Sequence, residues 1–283
     1  MTADIETAMA RTTKSPVETA PPSAKRRWQR LRATIAILAT QLAILVAFLS
    51  FWEHATSGNT AIAFMFGSPS AIAGFLGQMV RDGSLFRDTY ITGLETLLGF
   101  FVGNLFGTLI GLSLWYSRFV SRVVEPFVIA LGSIPIIALA PIIIIWFGTG
   151  LVSKVAMSTL SVVIVALVTS YKGAVGVDPD QINLMKTLGA SKFQIFRKLV
   201  VPASLADIFA GLKLTVGFAL IGAIVGEFMS SSEGLGHAIF KAGSLYVIPK
   251  VFAALVVTIA LALLLTFIVG KIEQLLMPWR RQI

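Results

Sequence analysis

The sequence contains no cysteine, which excludes disulfides and thiolate metal sites and leaves the compartment open. Charge is scarce as well: 13% of residues are Asp, Glu, Lys or Arg, about half the share of a soluble globular domain. No GxxxxGK(S/T) stretch occurs, so the chain has no P-loop with which to hold a nucleotide. Of the two histidines, His54 and His237, neither belongs to an HExxH pair, which removes a zinc-protease reading. Neither a catalytic triad nor a working pair of carboxylates can be argued from the spacings. The expectation is therefore a chain with no catalytic residue, no metal ligand and no cofactor of its own.

What is present is apolar. Hydrophobic residues make up 56% of the chain and mean hydropathy is +0.85, which together predict an all-α polytopic membrane protein embedded in the lipid bilayer. The formal charge of +9 does not point to nucleic acid, because the basic residues gather at the edges of apolar segments, where topology and anionic lipid account for them.

Taken in order, residues 1–32 read as a disordered basic cytoplasmic tail. Met1 to Ser23 is Ala-, Thr-, Pro- and Ser-rich without periodicity, and Lys25, Arg26, Arg27, Arg30 and Arg32 follow. The run 33–52 is a retained first transmembrane helix, since a signal peptide would have a shorter apolar core and a small-residue cleavage site. Residues 53–88 form an external segment in which Ser68-Pro69-Ser70 starts an interfacial helix over Ala71–Val80, with Ile72, Phe75, Leu76 and Met79 on one face. Residues 89–275 form a core with spans over 91–115, 127–147, 152–171, 205–228 and 251–272, six transmembrane helices in all, before a cytoplasmic C-terminus at 276–283. On this topology 17 Lys and Arg lie on the side of the termini and 5 on the other, which places both termini in the cytoplasm.

Inside the spans, Gly99, Gly103, Gly107 and Gly111 recur every fourth residue and leave one helical face bare for another backbone. Gly217, Gly222 and Gly226 supply further small positions. Pro135 and Pro141 interrupt the third span, which must bend or partly unwind there, either as a kinked packing helix or as a wall of a pathway. Lys213 is the clear intramembrane charge of the fifth span, and either snorkels or faces a cavity. Glu227, at the external end, sits either among headgroups or at a gate.

Between the fourth and fifth spans lies DPDQINLMKTLGASKFQIFRKLVVP, Asp178 to Pro202. Asp178 caps a helix starting at Pro179, with Gln181 completing a capping box, and Gly189 supplies the left-handed corner that ends it near Leu188. Ser191 and Gln194 write a second box, and Val201-Pro202 ends the second helix. Ser204 with Asp207 then offers a cap to the fifth span.

Leu188, Gly189, Ala190 and Ser191, followed by an aromatic and basic helix and the Val201-Pro202 step, resemble the cytoplasmic coupling loop of binding-protein-dependent ABC importer permeases of the type I fold. The resemblance covers roughly residues 89–275. The Ser-Pro-Ser entry is similar to that of the sulfonate, taurine and nitrate branch. The family's opening Glu-Ala-Ala is replaced here by Asn183, Leu184 and Met185. The resemblance implies ATPase coupling through Asn183, Leu184, Met185, Lys186, Leu188, Gly189, Ala190 and Ser191. It further implies a pathway or gate at Pro135, Pro141, Glu227, Gly234 and Gly236, the last two in a Ser-Glu-Gly-Leu-Gly run similar to the family's external gating segment. The implied partners are a cytoplasmic ABC ATPase dimer that binds ATP and Mg, a second permease subunit, normally a second copy, and a periplasmic or external solute-binding protein. The implied location is the bacterial inner membrane, and the implied substrate is a small anionic or polar organic solute. An ATP-independent secondary transporter is the alternative; it would carry paired repeats with midplane charges.

Overall fold

The structure is a computed structural model that describes residues 24–276, with side chains from residue 32. The tail expected over residues 1–23 and the C-terminal residues 277–283 lie outside the described residues. The described chain divides between His54 and Ala55 into two units. The first is essentially helix α1 (Ala24–Ser57), which begins inside the stretch expected to be tail. Its section Arg32–Ser57, with mean hydropathy 2.2, is long enough to cross a bilayer.

The second unit is helical throughout its described residues. A short α2 (Thr60–Phe66) precedes α3 (Pro69–Arg81), and the two are bent by 46°. Ser68 caps α3 by accepting the Ala71 N–H at 3.2 Å, and the expected apolar face is turned inward, with Ile72 and Met79 buried. Asp82 then accepts the Ser84 N–H at 2.9 Å. The hydroxyl and amide of Ser84 hold the exposed Asp82 carboxyl below its ordinary pKa.

The core is α4 (Ser84–Leu114), α7 (Leu151–Val175) and α10 (Val201–Ser230), with α11 (Leu235–Ser244) and α12 (Ile248–Leu276) packed around it. The reason α4 and α7 come so close is written in both. Opposite the four glycines of α4, α7 presents Ser158, Val162, Ala166 and Ser170, also every fourth residue. A Cβ on Gly103 would lie 2.7 Å from Val162, and one on Gly107 would lie 2.5 Å from the Val163 carbonyl and 2.7 Å from Ala166. Backbones this close maximise dispersion where lipid removes any hydrophobic drive between helices. On its other side α7 receives Gly211, Gly222 and Gly226 of α10, whereas Gly217 has nothing within 4 Å and is no packing position. A polar tie joins α4 to α10 as well: the Thr215 hydroxyl donates to Asn104 Oδ1 at 3.0 Å.

The third expected span is two helices, α5 (Arg118–Gly132) and α6 (Ile136–Phe147), meeting at 92°. The break is at Pro135, which stands at the N-cap of α6 with an extended backbone, as the clash of its ring with a preceding helical turn requires. Pro141 breaks nothing and lies within α6. Among the described residues five helices are long and apolar enough to cross a membrane, and up to seven spans result if this pair and the similarly bent α2–α3 each count as one, a range that contains the six expected.

Candidate functional site

Two constructions stand at opposite ends of the core. At the end formed by the C-termini of α4 and α7, the chain makes α8 (Pro179–Thr187), turns, and continues as α9 (Lys192–Ile195). Asp178 caps α8 through the Asp180 N–H at 2.9 Å; the box expected with Gln181 does not form. Leu188 closes the helix, and Gly189 makes the corner at φ 78°. The Ser191 and Gln194 box is complete, with Ser191 N–H to Gln194 Oε1 at 2.8 Å and Gln194 N–H to Ser191 Oγ at 3.3 Å.

Val201-Pro202 does not end this helix. Residues Phe196–Val200 adopt π geometry, in which the Val201 N–H reaches back five residues to Phe196. The wider register brings the chain to the proline without a stop. Lys192–Ser230 is consequently one continuous helical run of 39 residues. Ser204 is inside it, donating to the Val200 carbonyl at 2.7 Å, and does not act as a cap.

The loop is clamped from within. Ile195 and Val200 are buried with Leu112, Ala174 and Val177, and Ile182, Met185 and Ala190 pack partly against them. The Phe196 ring packs, tilted, with its centroid 4.9 Å from that of Tyr116 and 5.7 Å from that of Trp115, and Lys192 donates to the Tyr116 carbonyl at 2.5 Å. Leu184, Leu188 and Phe193 point the other way and are 60–73% exposed. Of the residues singled out for docking, then, Leu184 and Leu188 are free apolar surface, Asn183, Lys186, Gly189 and Ser191 are exposed, and Met185 is half-buried against the core.

The other end carries a buried charge cluster. Gly234 precedes α11 at φ 105°, and three successive amides at that helix start are taken by side chains. Gly234 N–H donates to Asp88 Oδ1 at 3.1 Å, Leu235 N–H to Thr92 Oγ1 at 2.8 Å, and Gly236 N–H to Glu227 Oε2 at 2.5 Å. Thr92 in turn donates to Glu227 Oε1 at 2.6 Å. The carboxylates thus occupy a helix N-terminus whose orphan donors and dipole favour negative charge. A side chain at Gly236 would sit 2.7 Å from Glu227 Oε2, and one at Gly234 would strike the same carboxylate. Beside this, Lys154 pairs with Glu95 at 3.6 Å, and all of Asp88, Thr92, Glu95, Lys154 and Glu227 are buried. At the rim Arg87 holds Glu233 at 3.4 Å.

The structure therefore brings Glu227, Gly234 and Gly236 together, while Pro135 and Pro141 are exposed on a separate element and make no bond to the cluster. Sequence reasoning missed Asp88, Thr92, Glu95 and Lys154. A signal existed: Asp88, Thr92, Glu95 and Thr96 continue the Gly99–Gly111 face of α4 by steps of three and four, and a face that buries glycines buries what precedes them. Lys213 is not the lone membrane charge either; it pairs with Glu273 of α12.

A family described as the binding-protein-dependent transport system inner membrane component matches residues 103–278. The chain belongs to this family. Among curated relatives, the formylaminopyrimidine transport permease protein ThiX of Halalkalibacterium halodurans is 31% identical over 91% of this chain and 99% of its own. The putative aliphatic sulfonates transport permease protein SsuC of Bacillus subtilis is 27% identical over 84% and 87%. A solved chain of the MetNI methionine ABC transporter, in an inward-facing form, aligns with TM-score 0.62 over 69% of this permease and 96% of that chain at 22% identity, a likeness of fold. The chain is thus a transmembrane permease subunit of a binding-protein-dependent ABC importer, resident in the membrane, and the ATP-independent alternative is set aside.

Proposed function

We propose that this permease works as a pair of identical copies, that a separate ATPase dimer holding ATP and Mg docks on α8, and that a binding protein delivers solute to the Glu227 end. The observation that carries the docking assignment is the exposure of Leu184, Leu188 and Phe193 on a loop otherwise clamped to the core. A capped, anchored helix with an apolar outer face meets the need of a force-bearing contact, because little ordering entropy is left to lose on binding. The Asn183-Leu184-Met185 segment docks through Leu184 in place of the family's acidic residue. The solute is a small anionic or polar organic molecule, in keeping with the formylaminopyrimidine and sulfonate named for the relatives.

The double substitution Leu184→Asp with Leu188→Asp tests the docking directly. Both side chains are exposed, so the fold should survive, and recovery of the ATPase with the tagged permease is expected to fall at least about tenfold. Unchanged recovery with vanadate-sensitive turnover would remove α8 as the docking element.

Orientation follows from the basic residues, which gather at the α8 end. Because the chain has no cysteine, a single Asn183→Cys or Ser232→Cys variant can be labelled without background. Impermeant thiol reagent applied outside intact cells should modify Cys at 232 and leave Cys at 183 unlabelled until the membrane is opened; the reverse pattern inverts the topology.

A further inference from the structure

Next to the exposed Leu184, Leu188 and Phe193, and sharing Lys186 and Ala190 with the residues implied for coupling, lies a pocket of about 460 Å³ walled by Trp115, Tyr116, Arg118, Lys186 and Lys192. Arg118 and Lys186 also line an adjoining cleft of about 250 Å³, with Trp115 and Tyr171. Three cations and no carboxylate line the larger pocket. Lys192 is held by Tyr116, whereas Arg118 and Lys186 have no acidic partner among the described residues. The first turn of α5 starts at Arg118, capped by Ser117, so the positive end of a 15-residue helix dipole adds to the same field. Clustered unpaired cations repel one another and are at their lowest energy with an anion between them.

The same place continues into an apolar track. On α5, Phe119 follows Arg118 directly, and Val123 and Phe127 continue from Phe119 at steps of four; the three are exposed by 77%, 49% and 65%. Trp115 and Tyr116 mark the level at which aromatic rings sit at a membrane surface. A free anion would use the pocket and leave the track bare. An amphiphile with an anionic head and hydrocarbon tails uses both.

We propose that this pocket binds the phosphate headgroup of an anionic phospholipid, with Arg118 and Lys186 as its charge partners and the acyl chains along Phe119, Val123 and Phe127. Such a lipid bridges the start of α5 to α8, so membrane composition would bear on the position of α8. The proposal rests on the pocket and the α5 track together and does not need α8 to be the docking element.

The test is native mass spectrometry of the full-length chain in mild detergent, titrated with phosphatidylglycerol or phosphatidylcholine. The wild-type chain is expected to retain phosphatidylglycerol in preference, and Arg118→Gln with Lys186→Gln to lower that retention roughly ten- to thirty-fold, the effect of two cations at about 1 kcal/mol each near an anionic surface. Lys241→Gln with Lys250→Gln, at the other end of the core, should retain the preference, and excess inorganic phosphate should not displace the lipid. Equal retention of the two lipids overturns the proposal. So does a preference that survives in the Arg118 and Lys186 variant but is lost when the basic residues of 25–32 are replaced, and so does displacement by inorganic phosphate, which would make the site one for a free anion.

Discussion

Replacing Lys154 by Met is expected to destabilise the permease by about 3–5 kcal/mol, the range for removing one partner of a buried ion pair. Lys154 and Glu95 are 3.6 Å apart, with side chains only 9% and 2% exposed. Glu95 also faces the Glu227 carboxyl, and Lys154 acts on both acids, so removing it leaves two buried acids side by side without their cation. The cost comes from the acids left without their cation and should fall, though not vanish, in Lys154→Met with Glu95→Leu, since replacing both partners of a buried pair removes most of the penalty while Glu227 still loses Lys154. Thermal unfolding of the detergent-purified variants, followed by size exclusion, reads both arms. If the double variant is as unstable as the single one, the two residues are not coupled and the cluster has been misread.

The second large effect is expected at Gly107. A leucine there would drive its Cβ to 2.5 Å from the Val163 carbonyl and 2.7 Å from Ala166, and since one obstacle is backbone, no rotamer relieves it. The helices must separate along a seam that runs from Gly99 to Gly111, and the loss should reach or exceed the roughly 3 kcal/mol upper range of ordinary overpacking. Gly217→Ala is the matched control. With open space around it, alanine should be neutral or add up to about 1 kcal/mol through helix propensity. Yield of monodisperse protein and its melting temperature distinguish the two; equal behaviour at both glycines would mean that the α4–α7 seam does not set stability.

These two cases also mark where the sequence was readable. The glycine ladder of α4 was legible because a period of four on one helix states its own purpose, and Gly189 because a left-handed corner admits few other residues. Pro135 was legible as an interruption, though a single-helix expectation could not foresee a 92° turn. Val201-Pro202 misled for a physical reason: local stop signals say what an isolated helix would do, and here Ile195 and Val200 are buried in a common core whose packing favours a π segment over an end. Gly217 misled in the opposite sense, since composition shows that a residue is small but not which neighbour it faces. The charge cluster was hidden because Glu95 and Lys154 are 59 residues apart in the chain. Only the pairing of α4 with α7 brings them together.

The uninterrupted run from Lys192 to Ser230 has a mechanical meaning. Its 39 residues rise about 1.5 Å each, giving a rod of roughly 60 Å. One tip is packed against Trp115 and Tyr116, and Glu227 near the other holds the Gly236 amide. The π segment at Phe196–Val200 lies one turn from the first tip and is itself packed, with Val200 and Ile195 buried beside Leu112, Ala174 and Val177. A single helix thus joins the aromatic clamp at the α8 end to the buried cluster at the other, and is fastened at both.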